Sequence, residues 1–184
     1  MRMEIEGVVL RKLEPKDIEF LYEYRNDWAV ARSLAGFSTG YSRRDLEEWM
    51  EAHRKRTDEV QFAIALKEDD RCIGHSGLYQ VDYRIGRAQL GTLIGDKSYW
   101  GKGIGTAVRQ AIIDYGFLQL NLQRIDTWSL GDTAAIHHIN EKLGFKKEGT
   151  LRRYAFRDGQ HVDVVVMSLL REEWQARRPD RTRA

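Results

Sequence analysis

A glycine-rich loop between a strand-like and a helix-like segment constrains this chain more than any other feature of its sequence. The loop reads Tyr-Trp-Gly-Lys-Gly-Ile-Gly-Thr over residues 99–106, follows the strand-like segment 89–95 and runs into the helix-like segment 104–118. Glycines at alternate positions permit positive φ angles and close backbone approach, and the first N–H groups of a helix have no partner within it. The loop therefore predicts a strand–turn–helix unit with a phosphate-type anion site at the helix N-terminus.

The spacing of this loop differs from that of two common nucleotide-binding loops. A Walker A loop needs Gly-Lys-Ser/Thr five residues after another glycine, but here Gly103 follows Lys102, and Asp96 stands where the first glycine is needed. A Rossmann fingerprint needs G-x-G-x-x-G, whereas this loop runs G-x-G-x-G. Asp126 lies about twenty residues further on, where a ribose-binding acid is expected, which keeps a dinucleotide site as an alternative hypothesis. A glycine-rich turn that binds no ligand is the other alternative hypothesis.

The composition is typical of one globular domain in a reducing compartment. The chain has 184 residues, 42% of them hydrophobic and 32% charged. No apolar run reaches the ~18 residues of a membrane span, and no apolar leader follows Met1. Cys72 is the only cysteine and cannot form an internal disulfide. We expect a cytoplasmic protein with a single domain over residues 1–174 and a basic, flexible tail over 175–184.

Charge and ligand spacing argue against three kinds of partner. A net charge of +2 is too small to favour nucleic acid as the main partner, although the basic tail leaves a weak contact with RNA open. No Cys or His pair has zinc spacing, and the neighbouring His137 and His138 would point about 100° apart on a helix. We therefore expect no membrane, nucleic-acid or metal partner.

Hydrophobic periodicity, capping residues and turn residues predict the order of the elements. Seven strands and four helices follow one another as β-α-α-β-β-β-α-β-α-β-β. Gly144 is predicted to end the last helix, and Asp158-Gly159 predicts a type I′ turn in the final hairpin. The predicted segments are strand 8–13, helix 15–25, helix 42–56, strands 60–66, 72–82 and 86–95, helix 104–118, strand 124–130, helix 133–143 and strands 145–156 and 161–170. A flexible link, residues 33–40, joins the first two helices.

This order of elements resembles the GCN5-related N-acetyltransferase (GNAT) superfamily over nearly the whole chain. The resemblance is carried by residues 11–17 (RKLEPKD), by residues 98–106 (SYWGKGIGT), and by 135–136 (AI) with 141–149 (EKLGFKKEG). In detail these stretches look most like the branch with ribosomal-protein N-terminal acetyltransferases, RimJ/RimL-like, and spermidine acetyltransferases. The resemblance implies the GNAT fold: an α/β (α+β) domain in which four helices flank a central, mostly antiparallel, mixed seven-stranded sheet.

The same resemblance implies acetyl-CoA as co-substrate and assigns the glycine loop to its pyrophosphate. The pantetheine arm is expected to run along Leu93 and Ile94 like an added strand, since an open strand edge offers main-chain donors and acceptors. Trp100 stands where many relatives have Gln or Arg, so we expect packing to replace a polar contact of the loop. The residues assigned to acetyl-CoA are Leu93, Ile94, Gly101, Lys102, Gly103, Ile104, Gly105, Thr106, Asp132 and Asn140.

Positions at which the family carries its proton-transfer groups hold other residues here. Aligned on the K-L-G-F run at 142–145, the Tyr acid of several relatives corresponds to Asn140. The fourth-strand position that often carries a Glu base in the family is Gln89 here. Asp132 replaces an Asn that contacts pantetheine, and has the alternative role of a helix N-cap. Neither carboxamide exchanges protons usefully. The catalytic candidates are Gln89, Ser129, Asp132 and Asn140, with His75, Tyr79 and Tyr154 as further proton carriers.

The family geometry implies an acceptor cleft between residues 24–41 and the final hairpin. Its candidate residues are Arg25, Asn26, Tyr41, Tyr154, Arg157 and Asp163. A polyamine requires converging carboxylates, but residues 1–60 contain 13 acidic against 11 basic residues. We therefore rank a protein N-terminus or a small amino compound above a polyamine as the acceptor.

Two hypotheses for the function follow from this sequence. The first is an acetyl-CoA-dependent N-acetyltransferase in which a primary amine attacks the thioester directly in a ternary complex. The second is a non-catalytic acetyl-CoA-binding or sensing protein, which the replaced residues at 89, 132 and 140 favour. The expected partners are acetyl-CoA and an amine acceptor, including a ribosomal or other protein N-terminus, and the apolar final strands are compatible with a homodimer.

Overall fold

The computed structural model describes residues 2–34 and 39–178, in which eight strands and six α-helices occur. The strands are β1 (Met3–Ile5), β2 (Val8–Arg11), β3 (Val60–Leu66), β4 (Cys72–Asp82), β5 (Arg87–Ile94), β6 (Arg124–Leu130), β7 (Lys146–Arg157) and β8 (Gln160–Leu170). The helices are α1 (Ile18–Arg25), α2 (Trp28–Arg32), α3 (Arg43–Arg54), α4 (Ile104–Gln119), α5 (Ala134–Lys142) and α6 (Arg171–Ala176). The predicted link 33–40 lies partly outside the described residues, and the predicted tail lies outside them from residue 179 onward.

All eight strands form one sheet in the order β1-β2-β3-β4-β5-β6-β8-β7. Every neighbouring pair is antiparallel except β5 and β6, which run parallel. The prediction of a mixed, mostly antiparallel sheet in an α/β chain is confirmed. Local signals are also confirmed: Ser42 and Asp45 form a capping box at the start of α3, and Asp158 and Gly159 have φ angles of 50° and 77° in the final turn.

The predicted counts of seven strands and four helices are wrong. Strand β1 was missed because three residues are too short for a periodic pattern; it pairs with β2 through a turn at Gly7, where φ is 76°. Helix α2 was also missed, although the Asp27 carboxylate caps it by accepting from the N–H groups of Ala29 and Val30 at 2.8 and 3.3 Å. Helix α6 is the third addition.

Helix α6 carries the ordered chain past residue 175, where the flexible tail was expected to begin. The Trp174 indole N–H donates to Asp114 Oδ1 on α4 at 2.8 Å, and Arg178 pairs with the other oxygen of the same carboxylate at 2.6 Å. Arg177 donates to the carbonyl of Lys142 at 2.7 Å. The first basic residues of the predicted tail therefore hold α6 against α4 and α5.

The sheet buries a different hydrophobic cluster on each of its two faces. On the face that packs against α4, which we call the α4 face, alternate residues such as Ile64 and Leu78 join Ile112 and Phe117 of the helix. The opposite side, which we call the α1 face, is covered by α1 to α3, where Leu93 of β5 packs in a smaller cluster. Burial of each such side chain stabilises the fold by roughly 1.5–3 kcal/mol. The side chains of neighbouring residues on β5 therefore face two separate environments, one on each face of the sheet.

Candidate active site

The strands β5 and β6 pair over only three residues and then separate. Arg87, Ala88 and Gln89 pair with residues 124–126, but from Leu90 and Thr127 onward neither strand pairs with the other. The facing edges of these two strands are therefore open, and we call this opening the wedge. The predicted pantetheine residues, Leu93 and Ile94, lie on its β5 edge.

The glycine loop follows β5 and forms the N-terminus of α4, as predicted. Gly101 and Gly103 have φ angles of 73° and 80°, which non-glycine residues rarely adopt. A Cβ atom built on Gly101, Gly103 or Gly105 would meet no atom within 4 Å, so packing within the chain does not require glycine at any of the three positions. The first hydrogen bond of α4 joins Ala107 N–H to the Gly103 carbonyl, which leaves the preceding N–H groups directed at this open space. An open cradle of free N–H groups fits a pyrophosphate.

Two side chains of the loop are held by neighbouring residues. The Trp100 indole N–H donates to the Ile94 carbonyl at 2.8 Å, so the expectation that packing replaces the polar contact here is wrong. The hydrogen bond ties the loop to the end of β5. Lys102 lies over the Tyr99 ring, with Nζ 5.1 Å from its centroid, a cation–π contact that leaves the ammonium group available to a phosphate.

A buried arginine lies on the α4 face beside the wedge. Arg109 of α4, 3% exposed, donates from Nη2 to Thr127 Oγ1 at 3.0 Å and to Asn140 Oδ1 at 2.7 Å. Its Nε atom is buried without a partner, and no carboxylate lies within 4.0 Å among the described residues. Burial lowers the pKa of Arg109 to about 10, so the side chain is still a cation at neutral pH.

This arginine determines what Asn140 can do. Asn140 is fully buried; its oxygen accepts from Arg109, and its nitrogen faces Met167 Sδ at 3.7 Å. The predicted catalytic candidate is therefore held in a hydrogen-bonded pair. Ser129 projects from β6 to the same face, and its hydroxyl is buried without a partner, as is His137 Nε2 on α5. Unpartnered buried groups are rare in folded proteins, and several here adjoin the wedge.

On the α1 face, the strand register places Gln89 of β5 beside Tyr79 of β4, with Leu93 beside His75. The Tyr79 ring lies against Gly91, where an added Cβ would come within 2.8 Å of the ring. Burial raises the pKa of Tyr79, so its phenol stays protonated at neutral pH. Burial, together with Arg25 and His53, lowers the pKa of His75 to about 3. His75 is thus a neutral acceptor and a weak base.

The remaining predicted acceptor residues separate into exposed and structural groups. Asn26 uses its carboxamide to bind both backbone groups of Tyr41, at 2.8 and 2.9 Å, and so positions the Tyr41 segment. Asp163 accepts from the Arg153 N–H at 2.8 Å, where β7 departs from regular register and φ of Arg153 is 54°. Tyr154 is exposed and packs edge-on against Trp128, with ring centroids 5.8 Å apart.

Asp132 does not cap α5, whose N-cap residue is Thr133. Its exposed carboxylate accepts instead from Arg157 of β7, which also donates to the Arg32 carbonyl of α2, while Arg32 pairs with Asp158 at 2.6 Å. This cluster joins α2, the segment before α5 and the final hairpin. Arg157 therefore ties the rim of the predicted cleft together.

A cavity of about 270 Å³ lies between α1 and the segment after β5, on the outer side of Tyr24. Four of its charged lining residues are paired: Lys97 with Asp27 at 2.5 Å and Arg71 with Asp96 at 2.9 Å. Burial raises the pKa of the Cys72 thiol to about 11, so that the thiol stays protonated at neutral pH. In the described part of the chain, the unpartnered buried side chains belong to residues that do not line this cavity, and the wedge, with its open strand edge beside the glycine loop, is the better candidate site.

Sequence reasoning missed Arg109, Trp49 and Gln61. The signal for Arg109 was its place in the apolar stripe of α4, between Val108 and Ile112, where a charged side chain must be buried. Trp49 and Gln61 gave no such signal, because only the folded chain places them beside Arg25 and His75.

The described ranges 2–34 and 39–178 hold no helix with the length and apolar character needed to span a membrane, and no cluster of three potential metal ligands. Residues 8–146 match the family model of the acetyltransferase (GNAT) domain. An uncharacterized N-acetyltransferase of Bacillus licheniformis is 33% identical over 92% of this chain and 96% of its own length. A putative ribosomal N-acetyltransferase of Bacillus subtilis is 29% identical over 92% and 94%.

Among solved structures, the spermidine N-acetyltransferase of Vibrio cholerae in complex with CoA and spermine superposes with a TM-score of 0.86. It is 25% identical and covers 93% of this chain and 99% of its own. The part of the chain that the family model matches, residues 8–146, includes β2 to β6 and the glycine loop. The dinucleotide alternative is not supported, because the chain matches the acetyltransferase (GNAT) domain and the Vibrio cholerae neighbour was solved with CoA. The chain belongs to the GNAT family, and it is an N-acetyltransferase that uses acetyl-CoA.

Proposed function

We propose that this protein transfers the acetyl group of acetyl-CoA to a primary amine by direct attack in a ternary complex. The observation that carries the proposal is the wedge, which opens both to the glycine loop on the α4 side and to the polar cluster on the α1 face. The amine nitrogen bonds to the thioester carbon, the carbon–sulfur bond breaks, and the sulfur leaves as a thiolate. One proton must leave the nitrogen, and one must reach the sulfur.

We assign the pyrophosphate to the N–H groups from Gly101 to Thr106, and the pantetheine amides to the open edge at Leu93 and Ile94. The open space at the three glycines supports this assignment, and so does the edge of β5, which pairs with no strand beyond Gln89 although the Ile94 carbonyl accepts from the Trp100 indole. Holding thioester and amine together in line contributes up to roughly 7–11 kcal/mol to lowering the barrier, so a strong base is not required.

Proton transfer has few protein groups available to it. Gln89 and Asn140 do not exchange protons usefully, and the Asp132 carboxylate is paired with Arg157 at the rim. On the α4 face, the Arg109 cation and the free Ser129 hydroxyl are the donors that adjoin the wedge. We propose that Arg109 stabilises the leaving thiolate electrostatically and that Ser129 donates a hydrogen bond there, while water removes the amine proton.

The acceptor we propose is a protein N-terminus or a small amino compound, with a polyamine as the alternative. The Vibrio cholerae neighbour was solved with spermine, and the Bacillus subtilis relative carries a ribosomal name. In support of the first choice, two of the carboxylates near α1, Asp27 and Asp96, are paired with Lys97 and Arg71 and so are not free to bind a polycation. Cytoplasmic location and a homodimer through the exposed aromatic residues of β7, Tyr154 and Phe156, remain proposals of the same kind.

Thiol release from acetyl-CoA tests this function with a panel of N-terminal peptides, amino acids, amino sugars and spermidine. We expect at least one primary amine to raise the rate about 100-fold or more above hydrolysis, because proximity alone supplies a large effect. Tight acetyl-CoA binding by calorimetry without amine-dependent release would contradict the proposal and favour the sensing hypothesis.

A further inference from the structure

The Arg25 guanidinium on the α1 face is a cation without an anionic partner. No carboxylate lies within 4.0 Å of it among the described residues, and its one side-chain hydrogen bond joins Nη2 to His75 Nε2 at 3.3 Å. Its Nε atom is buried with no partner, and Nη1 has no acceptor in the described part of the chain. Because a guanidinium retains its charge and needs acceptors, these donors are available to a ligand.

Aromatic rings hold this guanidinium in place. Its Cζ atom lies 4.4 Å from the centroid of Trp49 and 5.4 Å from that of Tyr41. The Tyr41 segment is itself fixed by both hydrogen bonds of the Asn26 carboxamide. Stacking of this kind restricts the side chain before a ligand arrives, which reduces the entropy lost on binding.

The other polar groups around Arg25 do not neutralise it. His75 is neutral and accepts the Arg25 hydrogen bond, which leaves its Nδ1–H buried without a partner. The Gln61 carboxamide on β3 lies beside the Tyr79 side chain and has no other partner in the described part of the chain. The nearby acid, Glu59, forms an ion pair with Arg56 at 3.1 Å and faces His53 at 3.7 Å, although its buried Oε1 accepts no hydrogen bond. The cluster thus has one unpaired positive charge and several unused neutral donors.

We infer that this cluster is an acceptor subsite for a carboxylate or phosphate, and that the acceptor is an amine bearing such an anionic group. The inference rests on the proposed function, because it takes the wedge as the place of acetyl transfer. Arg25 contacts His75 of β4, and His75 pairs with Leu93 on the β5 edge of the wedge, so Arg25 lies one strand from the wedge. An anion bound by Arg25 would direct the amine of the same molecule toward the open β5 edge. A polyamine at this position would bring a second cation against Arg25, which disfavours it.

Calorimetry with matched ligand pairs, using the full chain saturated with CoA, tests the subsite directly. The pairs are phenethylamine and phenylalanine, ethanolamine and phosphoethanolamine, and glucosamine and glucosamine 6-phosphate, with spermidine as the polycation. We expect the anionic member of at least one pair to bind about 10–100-fold more tightly, and the pair that responds distinguishes carboxylate from phosphate. Arg25→Gln should remove this preference, and Arg25→Lys should retain part of it.

Arg43→Gln is the matched control, since Arg43 also stacks on a tyrosine, with Cζ 4.2 Å from the Tyr22 centroid, but is paired with Glu19 at 2.8 Å. It should leave the preference unchanged. The inference would be overturned if both members of every pair bound equally, if none of the ligands bound, or if spermidine bound more tightly than the anionic amines. It would also be overturned if a folded Arg25→Gln protein kept the preference for the anionic member. Thiol release from acetyl-CoA with the same panel separates the two proposals: anion-selective binding without release would contradict acetyl transfer and keep the subsite.

Discussion

The two sides of the wedge are built from different parts of the chain. On the α4 side, one contiguous loop supplies the proposed anion site through its backbone, with Gly101 and Gly103 at positive φ and N–H groups facing open space. On the α1 face, the polar cluster consists of side chains from α1, α3, β3 and β4, with Arg25 held between Trp49 and Tyr41. Backbone chemistry fixes the donor side, and side-chain chemistry sets the acceptor side.

This difference separates what the family shares from what the chain has of its own. A loop that binds through N–H groups and a helix terminus tolerates many side chains around it, so one co-substrate suits many sequences. A cluster that binds through a guanidinium and two rings changes with any one substitution. The donor can therefore be assigned with the family, whereas the acceptor requires the individual side chains.

Gly103→Val should have the largest effect, and it should weaken acetyl-CoA binding without affecting the acceptor side. A branched residue disfavours a φ of 80°, and its side chain would enter the open cradle, so we expect acetyl-CoA affinity to fall about 100-fold or more. Calorimetry measures this, and the melting temperature reports the accompanying loss of stability. Gly149→Ala, at another open position but without a positive φ, is the control that should bind normally. Unchanged affinity in Gly103→Val would refute the loop assignment.

Arg109→Met should come next and lower kcat about 10–100-fold with little change in the KM for acetyl-CoA. The reason is that a buried cation beside the wedge is removed, while the pyrophosphate loop is untouched. The free energy of unfolding should change by less than about 2 kcal/mol, since removal of an unpaired buried charge offsets the lost hydrogen bonds. Arg109→Lys should keep part of kcat. A variant that loses stability but turns over at the normal rate would show a purely structural arginine.

The fold could be predicted from sequence further than the site could. Periodicity found every strand of five or more residues, because each combines alternating apolar residues with clear turn signals, whereas β1 and α2 are too short to show a period. The loop was found because its glycines are contiguous. Arg25 was named as a candidate, but its lack of a carboxylate partner depends on the positions of Glu59 and Arg56 in three dimensions. Asp132 was misread as a cap because its partner, Arg157, lies 25 residues away.

A smaller effect concerns the pH dependence of stability on the α1 face. The pKa of His75 is about 3 in the folded protein, against 6.5 when unfolded, so the unfolded chain binds the extra proton first. Above pH 6.5 His75 is neutral in both states and does not affect the free energy of unfolding, which falls as the pH is lowered from 6.5 toward 3. Between about pH 6.5 and pH 5 we expect wild type to lose roughly 1–2 kcal/mol more than His75→Asn in urea unfolding. The exposed His161→Asn should follow wild type, and parallel curves for all three proteins would exclude the burial effect.

Steady-state thiol release, with both substrates varied, most directly tests the division of the wedge into a donor side and an acceptor side. It compares wild type with Gly105→Ala, whose methyl group would enter the open loop at an ordinary φ, and with Arg25→Gln. We predict that Gly105→Ala raises only the KM for acetyl-CoA and that Arg25→Gln raises only the KM for an anionic amine, each about 10-fold. If either variant raised both KM values equally, the two sides would not be separate sites.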